Sequence, residues 1–274
     1  MPKAILKWAG GKRSLLEAIL STFPADYRSR PFHEPFLGGG AVFFTLKPQK
    51  GTVNDVNPRL VNFYKIVRDS PEKLIAKAKK FPYNRDSYYA LRDKFNDEKL
   101  SPVEDAALLL YLNKTSYNGL YRVNSRGRFN VPFGRYRNPT IVPEEDIRGA
   151  SEALSKIEIY NEDFSYILKA AKWGDLVYLD PPYEPVSHTS NFNTYSPTGF
   201  PWEEQVRLSE TIRELDERGV LFVLSNSEPV KKLYEGFNVT TVRANRSINT
   251  KATARGPVNE IIATNIKGKE TPPS

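Results

Sequence analysis

The chain has 274 residues, of which 39% are hydrophobic, and it contains no cysteine. That hydrophobic content is enough for a folded core, the lack of cysteine excludes disulfides and thiolate metal sites, and no apolar run reaches the ~18 residues that a bilayer span requires. The formal net charge of +8 permits a polyanionic partner without requiring one.

The first part of the sequence predicts the opening of a doubly wound α/β sheet. An amphipathic helix over 14–23 precedes a strand over 31–36, which runs into glycines at 38–40 and then into a second helix. Another short strand covers 51–56. A strand, a glycine turn, a helix and a strand in this order are typical of an α/β core that binds a ligand at the turn.

The pattern changes after this second strand. Residues 58–114 are helical in period and rich in charge. Ser101, Pro102 and Glu104 form a helix start, with a capping hydroxyl, a proline at the first helical position and an acid at the third. We therefore predict that a largely helical module interrupts the α/β core.

Strand-like segments return after Pro143 and alternate with helical ones. They are IEIYN, LVYLD, VLFVLSN, NVTTVRA and EIIATNI. The sequence thus predicts a discontinuous α/β core of residues 1–57 and 143–268, an inserted module of residues 58–142 and a tail of residues 269–274.

A basic stretch, residues 114–138, precedes these strands and reads KTSYNGLYRVNSRGRFNVPFGRYRN. It contains six Lys and Arg residues and no Asp or Glu, and tyrosine, phenylalanine and asparagine are interleaved among the cations. The Asn118-Gly119 and Arg126-Gly127 pairs predict tight turns in a hairpin-like loop. Because a solvated loop usually mixes both signs of charge, this composition favours a nucleic acid as the partner.

Two glycine turns and a carboxylate predict a site for an adenosine-type cofactor. The glycines at 38–40 let a ligand approach the backbone closely, and Asp55 can accept hydrogen bonds from both hydroxyls of a ribose. The G-x-G-x-x-G spacing is lacking and nothing is placed to neutralise a pyrophosphate, so S-adenosylmethionine fits better than NAD. The earlier glycine turn carries Lys12, and it is either an ordinary basic loop or a turn in which Lys12 or the local backbone holds a carboxylate such as that of a methionine moiety.

A carboxylate follows the buried strand LVYL. Asp180 is at the carboxyl end of that strand, where ligands bind in open α/β sheets, and Pro181 and Pro182 add carbonyls without N–H donors. The Asp180 carboxylate and the Pro181 carbonyl suit an exocyclic NH2 group, and Tyr183 can stack on the ring that bears it. Two oriented acceptors stabilise positive charge on such an amine as it attacks the methyl group of a sulfonium cofactor. The pattern predicts methylation of a nucleobase amine.

Several segments carry a family resemblance over nearly the full length of the chain. They are LKWAGGK, EPFLGGGAVFF, NDVN, YNGLYRVNSRGRFNVPFGRYRNP, DPPYEP and VLSNS. In these motifs and in their order, the chain resembles the Dam-type DNA adenine-N6 methyltransferases of the alpha class, and closely the GATC-modifying members found alone or in restriction systems. The resemblance implies a Rossmann-like core dependent on S-adenosylmethionine, with an inserted, mostly helical DNA-recognition domain that carries a β-hairpin loop. It also implies a site-specific enzyme that flips the adenine of duplex GATC out of the helix and methylates its N6.

The resemblance also assigns roles to residues of this chain. The cofactor-binding positions are Trp8, Lys12, Phe36, Gly38, Gly40, Asp55 and Asp180. The catalytic positions are Asp180, Pro181 and Tyr183. The DNA-binding positions are Lys7, Tyr117, Asn118, Leu120, Arg122, Asn124, Asn130, Pro132, Arg135 and Tyr136.

Within the DNA-binding group the implied roles differ. Lys7 matches the reader of the first guanine of GATC, and Arg122 matches the reader of the guanine in the last pair, a contact that is standard in the major groove. Tyr117 and Asn118 match the residues that enter the gap left by the adenine. Two apolar positions match residues beside the thymine methyl, namely Leu120 and Pro132. The other positions match residues that contact the DNA backbone or support the hairpin, namely Asn124, Asn130, Arg135 and Tyr136.

Three rival functions are compatible with parts of the sequence. One is an amino methyltransferase for cytosine N4, RNA adenine or protein glutamine. The glutamine-modifying relatives favour Asn and the cytosine enzymes favour Ser at the first motif position, so Asp180 argues against both, and the match through the hairpin argues for duplex DNA. A catalytically silent DNA-binding module is disfavoured by the intact motifs. A nuclease is disfavoured because no carboxylate and lysine cluster of metal-site character occurs outside the cofactor positions.

The remaining expectations concern the setting of the protein. The first residues are too few and too polar for a signal peptide, so we expect a cytoplasmic protein that associates with the nucleoid through DNA. We expect that the protein needs no metal, does not bind a membrane and has no obligatory protein partner. We expect it to be a monomer in solution. His33 is interpreted as a hydrogen-bonded core histidine, and Trp173 and Trp202 as packing residues at helix ends.

Overall fold

The computed structural model describes residues 4–8, 10–183, 200–245 and 257–267. Glu184 and Pro185 of the DPPYEP segment and the predicted tail lie outside the described residues. Within the described part of the chain, no helix is both long enough and apolar enough to cross a bilayer.

A seven-stranded sheet forms the centre of the fold, with the strand order β3-β2-β1-β4-β5-β7-β6. In chain order the strands are β1 Phe32–Glu34, β2 Gly51–Asn54, β3 Glu158–Tyr160, β4 Leu176–Leu179, β5 Leu221–Ser227, β6 Asn238–Asn245 and β7 Pro257–Thr264. The first five strands pair in parallel, and β7 is antiparallel to both β5 and β6. Each strand predicted from the sequence is present, and the mixed α/β class is confirmed.

The order of the strands reverses between β1 and β4. The chain builds outwards from β1 through β2 to β3, and then returns to place β4 on the other side of β1. In open α/β sheets, ligands bind outside the carboxyl ends of the strands at such a switch point. Because the glycine turn follows β1 and Asp180 follows β4, these two motifs meet at the switch point.

The helices of the described residues cover both faces of this sheet. They are α1 Leu16–Ser21, α2 Ala41–Leu46, α3 Pro58–Asp69, α4 Pro71–Ala78, α5 Arg85–Asp97, α6 Pro102–Thr115, α7 Glu144–Leu154, α8 Ile167–Ala170 and α9 Trp202–Glu217. Helices α3 to α6 lie between β2 and β3, as the helical period of this region predicts. Helix α6 begins as predicted, because Pro102 is its first residue and the Glu104 N–H donates a hydrogen bond to the Ser101 hydroxyl at 3.4 Å.

Each face of the sheet buries its own apolar cluster. Alternate residues of β4 show this division, because Leu176 and Tyr178 belong to one cluster while Val177 and Leu179 belong to the other. The first cluster also contains buried residues of α3 to α6, and the second contains those of α8 and α9. The helices between β2 and β3 therefore pack on the same core as one face of the sheet.

A buried polar network ties three neighbouring strands near their amino ends. His33 Nδ1 lies 2.9 Å from Thr52 Oγ1, and His33 Nε2 lies 3.2 Å from Asp175 Oδ2. Thr52 Oγ1 also lies 2.9 Å from the Tyr166 hydroxyl. Burial lowers the pKa of His33, and the nearby Asp175 opposes this shift. His33 is thus a hydrogen-bonded core histidine, as predicted.

Candidate active site and nucleic-acid interface

A cluster of buried and half-buried polar side chains lies at the switch point of the sheet. We call it the switch-point cluster, and its members are Lys12, Glu34, Asp180, Tyr183 and Glu260. Glu34 is the last residue of β1, Asp180 follows β4, and Glu260 lies within β7. The exposed fractions of Lys12, Glu34 and Glu260 are only 4%, 2% and 5%. Charges in such an environment interact strongly, because little water screens them.

Lys12 is the cation of this cluster. Its Nζ lies 2.8 Å from Asp180 Oδ1 and donates a hydrogen bond to the Gly10 carbonyl at 2.9 Å. The same ammonium lies 4.5 Å from the centroid of the Tyr183 ring, in cation–π geometry. The sequence left open whether Lys12 or the local backbone holds a carboxylate of the cofactor, and in the structure Lys12 holds the carboxylate of Asp180. The lysine therefore orients the residue that follows β4.

The surroundings of Asp180 determine its protonation. Its pKa is raised to about 6, chiefly because the side chain is buried, while the Lys12 ammonium opposes this shift and the Glu260 carboxylate adds to it. At neutral pH Asp180 is therefore mostly ionised. Its Oδ1 lies against the Lys12 ammonium.

Two members of the cluster, Glu34 and Glu260, are not among the predicted site residues. Glu34 Oε2 is buried and has no hydrogen-bond partner among the described residues. Burial, followed by the charge of Asp180, holds the pKa of Glu34 well above its usual range, although the Phe43 N–H hydrogen-bonds to this carboxyl group. An acid that ends a buried strand could have been recognised in the sequence. Glu260 could not, because only the antiparallel pairing of β7 brings it to this edge.

The glycine turn after β1 is built around Asp55 and Trp8. Asp55 accepts hydrogen bonds from the Gly38 N–H and the Asn57 N–H, both at 2.9 Å, and these oppose the rise in its pKa that burial causes. Gly38 has a φ of +49°, and a Cβ at this position would lie 3.1 Å from the Trp8 indole. The turn therefore requires glycine both for its left-handed backbone and for its contact with Trp8.

Apolar side chains accompany the Asp55 carboxylate. Val56, the next residue, is 66% exposed although it follows a buried strand. Phe36 packs against Phe164 and Phe200, with ring centroids 5.5 and 5.7 Å apart. Val56 is a candidate site residue that sequence reasoning missed, and its position beside a ribose-type carboxylate is the feature that could have revealed it.

Two isolated antiparallel bridges join the limbs of the basic stretch, Ser116 with Phe133 and Val123 with Phe129. Asn124 closes the turn at the tip, because its Oδ1 accepts hydrogen bonds from the N–H groups of Arg126 and Arg128, both at 3.0 Å. Asn118, Gly119 and Gly127 have φ angles of +56°, +65° and +71°. These left-handed residues stand where the sequence predicts tight turns.

A buried asparagine joins Lys7 to the first of these turns. Asn113 is 1% exposed. Its Oδ1 accepts a hydrogen bond from the Lys7 N–H at 2.9 Å, and its Nδ2 donates to the carbonyls of Lys7 at 2.8 Å and Gly119 at 3.1 Å. Lys7 is thereby held against the turn that carries Tyr117 and Asn118, although these residues are far apart in the chain.

The arginines of the basic stretch have different surroundings. Arg122 Nε donates a hydrogen bond to Asn130 Oδ1 at 2.8 Å, which orients its guanidinium group. Arg128 is ion-paired with Asp97 of α5, with one hydrogen bond of 2.8 Å. Arg126 is exposed at the turn. The absence of acids within the stretch is thus partly offset by an acid from a neighbouring helix.

The other predicted DNA-binding residues flank the first turn. Leu120 is half-buried, and the exposed ones are Pro132, Arg135 and Tyr136. The Tyr117 N–H donates a hydrogen bond to the Pro132 carbonyl at 2.8 Å. The backbone N–H of Asn118 hydrogen-bonds to the Tyr136 hydroxyl. The Tyr117 side chain is 54% exposed. The structure thus brings Tyr117, Asn118, Pro132 and Tyr136 together at one surface.

An aromatic stack connects this surface to the glycine turn. The rings of Trp8 and Tyr121 lie 4.8 Å apart at an interplanar angle of 21°. Tyr121 belongs to the basic stretch and is 7% exposed, while Trp8 contacts the Gly38 turn. The two candidate sites are therefore parts of one packed unit.

The geometry defines the chemistry that is available. The switch-point cluster can accept hydrogen bonds from an amine and hold a cationic ligand, and the basic stretch can bind a polyanion. Within the part of the chain that the structure describes, no group of three or more His, Asp or Glu side chains could hold a metal ion.

Comparisons with known proteins point to the same chemistry. Residues 8–248 match the family model described as D12 class N6 adenine-specific DNA methyltransferase. The Type II methyltransferase M1.LlaDCHI of Lactococcus lactis subsp. cremoris is 45% identical, with 94% of each chain covered. The Type II methyltransferase M.MjaIII of Methanocaldococcus jannaschii is 39% identical, with 92% of this chain and 95% of that protein covered. The DNA adenine methylase of Escherichia coli (strain K12) is 34% identical, with 98% of each chain covered.

Proposed function

The chain belongs to the family of D12 class N6 adenine-specific DNA methyltransferases, and we propose that it methylates the adenine of duplex GATC with S-adenosylmethionine as the methyl donor. The observation that carries this proposal is the Lys12–Asp180 pair at the switch point, beside the glycine turn and Asp55. This pair supports an oriented acceptor for an amine next to a site that suits an adenosine-type cofactor.

The charges of the switch-point cluster suit a cationic cofactor. The Asp180 carboxylate is paired with the Lys12 ammonium and interacts with the charges of Glu34 and Glu260. Glu34 Oε2 is buried without a partner among the described residues. A buried acceptor of this kind calls for a donor from a ligand. S-adenosylmethionine has both a sulfonium and an ammonium group, and when bound it supplies the electrophilic methyl group. Asp55 would hold its ribose, and Phe36 and Val56 would contact its adenine ring.

Asp180, Pro181 and Tyr183 act on the target base in this proposal. Asp180 Oδ1 faces Lys12, so Oδ2 and the Pro181 carbonyl accept hydrogen bonds from the adenine amino group. These acceptors stabilise the positive charge that develops on N6, and the Asp180 carboxylate can take the proton that N6 must lose. Tyr183 stacks on the target adenine.

The basic stretch is the proposed site of target recognition, within a recognition module of residues 58–142. Tyr117 and Asn118 would enter the space that the adenine leaves when it is flipped. Arg122, oriented by Asn130, would donate two hydrogen bonds to a guanine edge in the major groove, and Lys7 would read the other guanine from the same surface.

The test is to methylate plasmid DNA in vitro and to digest it with two restriction enzymes, one blocked by N6-methylated GATC and one dependent on it. We expect protection from the first enzyme and cleavage by the second, with neither effect when S-adenosylmethionine is omitted. Cleavage by the first enzyme, while tritiated methyl still enters the DNA, would place the methylation at another sequence and overturn the GATC assignment. Lack of methyl transfer to any DNA would overturn the whole proposal.

A further inference from the structure

The most informative member of the switch-point cluster is Glu260, to which none of the sequence motifs points. It lies in the middle of β7, opposite Ser227 of β5 and Val242 of β6. Its side chain is 5% exposed, and its Oε2 accepts a hydrogen bond from the Tyr183 hydroxyl at 2.6 Å. A strand from the antiparallel end of the sheet thus reaches the residue that closes the DPPY motif.

The surroundings of Glu260 are unfavourable for a second carboxylate. It faces Asp180, which has the same sign of charge, and it raises the pKa of both Asp180 and Tyr183. The cation of the cluster, Lys12, is paired with Asp180 at 2.8 Å. Burying a carboxylate near another one costs free energy, which the strong hydrogen bond from Tyr183 partly offsets. Such an arrangement is better explained by a functional role of Glu260 at this site than by a contribution to the stability of the fold.

The contacts of the Tyr183 ring indicate what this functional role is. The Lys12 ammonium lies 4.5 Å from the ring centroid, and Glu260 binds the hydroxyl at the far end of the side chain. Contacts at its face and at its tip restrict the orientation of the ring. In addition, a hydroxyl that donates to a carboxylate enriches the ring in electrons, which strengthens its attraction for cations.

We propose that Glu260 is a positioning residue of the methyl transfer, which fixes the Tyr183 ring in the orientation that the target adenine requires. Glu260 touches none of the reacting atoms and acts through Tyr183. The inference rests on the proposed role of Tyr183 in stacking on the base. It adds a residue from β7 to a site that otherwise consists of motifs at β1, β2 and β4.

The test is a double-mutant cycle with Glu260→Ala, Tyr183→Phe and the combined variant. The rate of a single turnover is measured at saturating S-adenosylmethionine and saturating duplex. We expect Glu260→Ala to slow this step roughly 10- to 100-fold, because small errors in orientation have large effects on rate. Tyr183→Phe loses the same hydrogen bond, so the combined variant should be no slower than the slower single variant.

Two further variants separate positioning from a structural role. Glu260→Gln keeps an acceptor for the Tyr183 hydroxyl and should recover most of the rate that Glu260→Ala loses. Glu228→Ala is the matched control, because the exposed Glu228 accepts a hydrogen bond from Asn259, the neighbour of Glu260 in β7, at 3.1 Å. We expect this control to keep the wild-type rate.

The dissociation constant of S-adenosylmethionine and the melting temperature are measured for every variant. A wild-type single-turnover rate for Glu260→Ala, or effects of Glu260→Ala and Tyr183→Phe that multiply, would overturn the inference. So would a loss of rate that the melting temperature explains and that Glu260→Gln does not recover. The duplex used is one that the wild-type protein methylates, so a failure of the GATC assignment is seen separately, in the wild-type reaction.

Discussion

The switch-point cluster and the basic stretch both concentrate charge, but they expose it to very different degrees. Lys12 is 4% exposed and is paired with Asp180, whereas Arg126 and Arg135 are exposed at the surface. Buried charges act strongly over a few ångströms and shift one another's pKa, while exposed charges are screened within about 8 Å at physiological salt. The cluster is therefore suited to act on one amine, and the basic stretch to follow a long polyanion.

This difference separates the expected effects of mutations. A change in the switch-point cluster should alter the rate of methyl transfer with little dependence on salt, because the buried charges exchange little with solvent ions. A change in the basic stretch should alter affinity or the choice of sequence, and the part that concerns phosphates should depend strongly on salt. Each of the following predictions tests one side of this comparison.

The largest effect is expected for Asp180→Asn, which keeps the shape of the side chain and removes its charge. The rate of methyl transfer should fall about 100- to 1000-fold, because the acceptor that stabilises charge on N6 is weakened. Binding to the duplex should persist, since the basic stretch is unchanged. Tritiated methyl incorporation and filter binding measure the two quantities, and turnover equal to that of the wild-type protein would contradict the role of Asp180.

The next effect concerns Lys12→Met and the pH dependence of the reaction. The Asp180 pKa of about 6 predicts that kcat/KM of the wild-type protein falls as the pH drops through this value, because the protonated acid is a poor acceptor. Lys12 lowers this pKa, so its removal raises it further. The fall in kcat/KM should therefore begin at a higher pH in Lys12→Met. An unchanged profile would show that Lys12 does not control the ionisation of Asp180.

A smaller and more selective effect is expected for Arg122→Ala in the basic stretch. Loss of a bidentate contact should cost about 1–3 kcal/mol of discrimination at one base pair, so the variant should begin to methylate sites that differ from GATC at the last position. Arg126→Ala is the matched control. It should weaken binding to all duplexes alike and make this binding less dependent on salt concentration. The measurement is the ratio of kcat/KM for GATC to that for near-cognate duplexes, determined for both variants. An equal loss at every site in Arg122→Ala would make Arg122 a phosphate contact.

The smallest effect is expected for Asn130→Ala, which leaves Arg122 in place but removes its partner at 2.8 Å. Discrimination should fall at the same base pair as in Arg122→Ala, by about 1 kcal/mol, the typical value of one hydrogen bond. The variant that combines both changes should resemble Arg122→Ala alone. If Asn130→Ala acts at a different base pair, Asn130 makes its own contact with DNA.

The parts of the fold that depend on local pattern could be predicted from the sequence. Strand β4 follows from the apolar run LVYL, and the start of α6 follows from the Ser101 cap. The meeting of the glycine turn, Asp55 and Asp180 was also predictable, because the carboxyl ends of parallel strands share one edge of a sheet. His33 was interpreted correctly as a core residue. Trp173, which was interpreted as a packing residue, lies against Gly219, but its side chain is 83% exposed and does not belong to the core.

Contacts between distant segments could not be predicted. No local sequence pattern indicates the pairing of Arg128 with Asp97 or the three hydrogen bonds of Asn113. The partner of Lys12 was unforeseen for the same reason. Charge and polarity can be counted along the chain, but the partner of a polar group depends on which surfaces the fold brings together.

The sequence by itself determined the α/β class, the order of the motifs and the family to which they belong, because each depends on residues close together in the chain. Only the tertiary structure decided that Glu260 reaches Tyr183, that Glu34 Oε2 has no hydrogen-bond partner among the described residues, and that Lys7 lies against the Asn118 turn. The physical reason is that burial and pairing are properties of packed surfaces. A carboxylate becomes part of a site when the sheet removes it from water and places it beside the group that it binds.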